Sequence, residues 1–204
     1  MRMSHRFVSF ALLGTLANVA ACGDDGHDHD NEEEVITTVA LNFAPSGGGA
    51  AITAEFDDPD GDGGQAGTAD PISLAAGTYT LTVRFENRLE DPPEDITAEI
   101  EDESDQHLIL YTGSAVNGPA SNQPSAPLTQ SYADMDANGI PIGLENQIVA
   151  AAGTGTLTVT LRHMPEVNGT AVKTATVLDT AKASGIGAIG GSTDVMVNFM
   201  VSVQ

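Results

Sequence analysis

Val35-Ile36-Thr37-Thr38-Val39-Ala40-Leu41-Asn42-Phe43 reads at a period of two: Val35, Thr37, Val39, Leu41 and Phe43 share one face of an extended chain. A helix would scatter the same five side chains around its circumference. The alternation returns at Ile52-Ala54-Phe56, Tyr79-Leu81-Val83-Phe85, Leu157-Val159-Leu161 and Val195-Val197-Phe199-Val201-Val203, each bounded by Gly, Pro or Asp. Shorter apolar runs at 108–111, 128–133 and 147–151 add further strands. About seven or eight strands with turn residues between them predict a mainly β domain over residues 35–204, a single antiparallel two-sheet β-sandwich of immunoglobulin-like type.

One segment has a different period. In Asp91-Pro92-Pro93-Glu94, Asp91 can cap a helix, proline is tolerated in the first turn, and Glu94 completes a capping-box-like start. Ile96 and Ile100 then fall four apart, which predicts one short acidic helix from about Pro92 to Asp105 with a narrow apolar stripe. The stretches 118–127 and 184–192 read as loops.

Upstream of the domain, residues 1–21 have the layout of a removable export signal, with basic Arg2 and Arg6, an apolar run from Phe7 to Ala17, and Val19-Ala20-Ala21 before Cys22. Cys22 is the only cysteine of the chain and the expected site of lipidation. Two or more acyl chains, each contributing roughly 0.8 kcal/mol per buried methylene, convert marginal membrane contact into a lasting anchor. Residues 22–34 are then an acidic tether without a large apolar side chain until the domain starts, too polar to offset the cost of ordering. The tether contains His27-Asp28-His29-Asp30, a short tract able to chelate a divalent ion loosely.

The charge balance excludes several partners. Seven Lys and Arg face 29 Asp and Glu, a formal net charge of −22. Phosphate backbones and anionic headgroups both require clustered cations, so nucleic acid is excluded and cations are attracted. With no second cysteine, the domain has neither an intramolecular disulfide nor a zinc thiolate site, and its stability rests on packing.

The segments Asn31-Glu32-Glu33-Glu34-Val35-Ile36-Thr37-Thr38-Val39, Glu94-Asp95-Ile96-Thr97 with the acids up to His107, Asp134-Met135-Asp136-Ala137-Asn138-Gly139 with Gly143-Leu144, and Leu161-Arg162-His163 before Pro165 together resemble a family of small bacterial lipoproteins. The resemblance covers nearly the whole chain after Cys22. Sequences of that family often carry the label "type 1 periplasmic-binding fold superfamily protein". That label names a two-domain α/β fold with parallel strands alternating with helices, whereas the period-two pattern here predicts a sandwich. What the resemblance implies is an envelope lipoprotein without catalytic residues to carry over.

Within the domain, three constellations could hold a cation. Asp134-x-Asp136-x-Asn138-Gly139 followed by Glu145 fits the oxygen spacing of a calcium loop, although strands are expected on both sides and the alternative is a polar hairpin turn. Asp58-x-Asp60-x-Asp62-Gly63 offers similar oxygen density, but its twelfth position is Ala69, where a bidentate carboxylate would be needed. Glu99, Glu103 and His107 follow one another at a spacing of four, and His163 falls in phase with Leu157, Val159 and Leu161, so it points inward at a strand end. Imidazoles and carboxylates together suit zinc or a similar transition ion. The competing reading is a hydrogen-bonded core-edge histidine and an unrelated surface one.

Gly185-x-Gly187-x-x-Gly190 precedes a strand where a dinucleotide cradle needs a helix, and no nucleophile elbow is present. The expectation is therefore no enzyme, but an exported, lipid-anchored binding or accessory protein. It would handle divalent cations or assist an outer-membrane receptor or transporter. The alternative is a passive structural or adhesive module. Gly23 after Cys22, rather than aspartate, favours the outer membrane.

Overall fold

The computed structural model describes residues 34–61 and 63–204. Cys22, the signal, nearly all of the tether with its His/Asp tract, and Asp62 lie outside the described residues. In chain order the elements are β1 (Thr38–Pro45), β2 (Ile52–Asp57), β3 (Thr68–Ala69), β4 (Ile72–Leu74), β5 (Gly77–Glu86), α1 (Ile96–Asp102), β6 (His107–Thr112), β7 (Val116–Asn117), β8 (Leu128–Tyr132), β9 (Glu145–Ala150), β10 (Gly153–His163), α2 (Val177–Ser184), a 3-10 turn (Ile186–Ala188) and β11 (Ser192–Val203). No helix among the described residues is long and apolar enough to cross a membrane.

Two sheets form, one of seven strands in the order β3-β2-β1-β5-β9-β8-β7 and one of four in the order β4-β11-β10-β6. The fold is mainly β, as the alternation predicts. Val39, Leu41 and Phe43 are fully buried, and their register partners on β5, Phe85, Val83 and Leu81, enter the same core. Leu157, Val159 and Leu161 meet them from β10, with Val197, Phe199, Val201 and Val203 from β11.

Five expectations need correction. Val35 stays 47 % exposed rather than joining the inward face, because the first strand begins only at Thr38. The sheets are not wholly antiparallel, since β4 runs parallel to β11 and β7 parallel to β8. The acidic helix is one of two α-helices among the described residues and covers only Ile96–Asp102. Asp95, not Asp91, stands at its N-cap, and no side chain caps it there. The glycine-rich stretch expected as loop holds the 3-10 turn, and Ser184 closes α2.

Alpha helix α1 buries Ile96 and Ile100 in the main core. Thr97 ties it to β5, its Oγ1 donating to the Phe85 carbonyl and accepting from the Phe85 amide. Strand β6 is buried on both faces. His107, Ile109 and Tyr111 share one face, while Leu108 and Leu110 enter a second, smaller core with Met164, Val177, Ala181 and Ile189. Helix α2 covers that second core, which explains why His107 to Tyr111 shows no alternation. The outer edge of β6 is also occupied: the Ile109 amide donates to the Ile142 carbonyl at 2.7 Å, and the Ile109 carbonyl accepts from the Tyr132 hydroxyl at 2.9 Å.

Candidate metal centre

His107 opens β6 and His163 closes β10, and the two are register partners in the four-stranded sheet. Both side chains therefore leave the same end of that sheet on the same face. Their rings stack with centroids 4.6 Å apart and planes within 9° of parallel. Helix α1 ends one short turn before β6, so Glu103 sits against them. One ligand atom from each of Glu103, His107 and His163 lies within 4.8 Å of the others.

The tautomer of His107 follows from its surroundings. Its Nδ1 lies 3.2 Å from the Glu103 carbonyl, a group that can only accept. A proton on Nδ1 leaves the lone pair on Nε2, and that atom is buried without a hydrogen-bond partner among the described residues, as is Nε2 of His163. An imidazole held by a carbonyl on one nitrogen and bare on the other is the usual arrangement of a metal-binding histidine. Burial, helped by His163 and Lys173, pushes the His107 imidazolium down to about 4, and burial likewise lowers His163. Both rings are neutral donors at neutral pH.

More carboxylates gather beside them. The Glu34 carboxyl lies within hydrogen-bond reach of Glu99 and feels the charges of Asp194 and Glu103. Burial, then Glu99, raises Glu34 to about 8, so it carries a proton through most of the physiological range. Asp194 sits at a β-bulge, where the register passes from Leu161 opposite Val195 to Arg162 opposite Thr193. Arg162 fixes this segment by donating to Thr193 Oγ1 and to the carbonyls of Ile189, Gly190 and Gly191. Gly191 must be glycine here: its φ is +83°, and a Cβ would stand 2.1 Å from the His163 carbonyl oxygen.

A buried ion pair holds the frame. Lys173 Nζ lies 2.9 Å from Asp136 Oδ2 with both side chains fully buried, and it also donates to the Ser104 carbonyl at 2.6 Å. That contact grips the turn carrying Glu103 into His107. Burial lowers Lys173 against the pull of Asp136. For Asp136, burial works upward, but the Ile140 amide and Lys173 outweigh it and hold the carboxyl low.

The loop with calcium-like spacing uses its oxygens internally. Asp134 accepts from the amides of Gly143, Leu144 and Glu145, and Asp136 Oδ1 accepts from those of Asn138 and Ile140. Glu145 is an exposed residue of β9, and Asn138 is likewise exposed. In the other acidic loop, Asp60 Oδ2 accepts from the Gln65 amide, and Asp58 faces a cavity shared with Glu34 and Asp194. Of the sequence-derived sets, Glu103, His107 and His163 converge, with Glu99 one helical turn away beside Glu34. Sequence reasoning missed Glu34, Asp194, Arg162 and Lys173. Lys173 carried a usable signal as one of very few cations in a chain of 29 acids.

The chain matches no protein-family model, no curated protein and no solved structure.

Proposed function

We propose that this chain is a lipid-anchored binding lipoprotein of the bacterial envelope whose β-sandwich, read as immunoglobulin-like, holds a divalent transition ion, without enzymatic activity. The observation that carries the proposal is the convergence of Glu103 with His107 and His163, two buried neutral imidazoles, with the Glu103 carboxylate 3.9 Å from His107 Nδ1 and with Nε2 atoms that have no hydrogen-bond partner among the described residues. Two nitrogens and a carboxylate suit zinc and its neighbours better than calcium or magnesium, which take oxygen ligands. An acidic surface on an anchored tether would concentrate such ions for an outer-membrane receptor or transporter.

Thermal melts of the full chain in chelator, zinc, calcium and magnesium test it. Zinc at a hundred times its Kd should add about 2.7 kcal/mol, and His107→Gln with His163→Gln should abolish the gain while leaving the tether intact. No zinc shift in the unaltered protein would leave a passive surface module as the better reading. Cys22→Ser, expressed with radiolabelled palmitate, tests the anchor: label retained by the variant removes it.

A further inference from the structure

Lys182 stands apart from the other cations of the domain. Arg84, Arg88 and Lys173 each lie in an ion pair, and buried Arg162 feels the charge of Asp194. Among the described residues Lys182 makes no ion pair, not even with Asp179 one turn back on α2. In a chain of 29 acids such an ammonium is the exception. A lysine in the last turn of a helix ordinarily serves that helix's own carbonyls. Here Nζ reaches instead to the Gly118 carbonyl at 2.9 Å, on a distant loop, which leaves two of its three donors unused.

Lys182 lines a cavity of about 460 Å³, within the range of small-molecule sites, together with buried Ala120, Ser121 and Ala181 and exposed Asn122 and Gln123. The loop is held in place by the paired backbones of Gly118 and Ser121 and by Ser121 Oγ, which donates to the Val116 carbonyl. No carboxylate lines this cavity. Three other cavities are walled in part by acids: Asp58 and Asp194, Glu101 and Glu145, Glu55 and Asp70.

We propose that this cavity is a second binding site, separate from the metal centre, for a small molecule with one carboxylate and several hydroxyl groups, such as a sugar acid. Lys182 takes the carboxylate in a charge-assisted hydrogen bond. The side-chain amides of Asn122 and Gln123, each donor and acceptor at once, take the hydroxyls. At physiological ionic strength the Debye length is about 8 Å, so the acids of other faces are screened here. A ligand of several charges would meet the residual repulsion with one cation to offset it, which is why a single carboxylate fits.

Nitrogen-15 NMR of the full chain, titrated with D-glucuronate in chelator, decides it, because the metal centre is silent without its ion. The side-chain amides of Asn122 and Gln123 should shift saturably. Lys182→Met should weaken binding by about tenfold or more, while Lys182→Arg should keep it. Lys182 is exposed, so neither variant opens the core. Asn122→Ala/Gln123→Ala, also at exposed positions, should weaken binding through the hydroxyl contacts alone. No saturable shift up to on the order of 10 mM, or shifts confined to residues outside the cavity, overturns the site. Glucose binding as tightly as glucuronate removes the role of the carboxylate, acetate doing so removes that of the hydroxyls, and either overturns the ligand class. None of these results bears on the metal centre, whose test uses zinc.

Discussion

His107 and His163 stack nearly parallel across the register of β6 and β10, with ring centroids 4.6 Å apart. Two protonated imidazoles could not hold that arrangement in a buried site, so the stack depends on both rings being neutral. A phenyl ring preserves the shape but offers no lone pair. His163→Phe should change stability in chelator by less than about 1.5 kcal/mol and remove the zinc-dependent shift in melting temperature. A variant that still gains stability from zinc would show that the ion binds without His163.

Stability of the ion-free protein should depend on pH through His107. Its folded value is lowered to about 4 from 6.5, by burial first and then by His163 and Lys173, against the Glu103 carbonyl and Asp105. The unfolded chain therefore takes up the proton first as the pH falls. The contribution is complete above pH 6.5 and is lost progressively toward pH 4. Urea unfolding in chelator should show this decline, and His107→Gln should flatten it.

Glu34 has the opposite sign. Its folded value is raised to about 8 from 4.5, so the folded chain keeps a proton that the unfolded chain releases. Stability from this group is complete below pH 4.5 and lost as the pH rises toward 8. The stability difference between the parent and Glu34→Gln, followed across that range in chelator, should move against the parent as the pH rises. A constant difference would contradict the buried, crowded setting of the carboxyl.

Removing one member of the Lys173–Asp136 pair leaves the other charge buried. Lys173→Met should cost about 3–5 kcal/mol in urea unfolding, far more than a surface pair. Because Lys173 also grips the Ser104 carbonyl, the variant should weaken zinc binding as well, although Lys173 is not a ligand. A cost under about 1 kcal/mol would mean that the pair is hydrated in solution.

Asp134 organises its loop through three backbone amides. Asp134→Ala should destabilise the domain by the same amount in calcium and in chelator, because the oxygens a calcium ion would use already accept these hydrogen bonds. A penalty present only in calcium would restore the ion-binding reading of residues 134–145.

The strands were readable where one face meets the core and the other meets water, as at Val39, Leu41 and Phe43. Strand β6 gave only an apolar run, because Leu108 and Leu110 are covered by a second core that the pattern does not announce. Strands β3, β4 and β7, of two or three residues, are too short for a period to register. Helix α2 escaped although Val177 and Ala181 lie four apart, since its eight residues give only about two turns in which a period can register. At the site, spacing placed Glu99, Glu103 and His107 on one line, and phase turned His163 inward. Nothing local could place Glu34 or Asp194 beside them, because each arrives from a distant part of the chain, one at the domain entry and one at a bulge.

The blocked margin of β6 bears on how copies of the protein behave when crowded. A sheet margin with free amides and carbonyls is a template on which another chain can polymerise. Here the Ile109 amide and carbonyl are already taken by Ile142 and the Tyr132 hydroxyl, and the other three margins are strands of two or three residues. Another chain approaching β6 would find the middle of that margin already bonded. A strand added there must first displace the segment that carries Ile142 and the Tyr132 hydroxyl, so pairing at this margin is opposed by the fold itself.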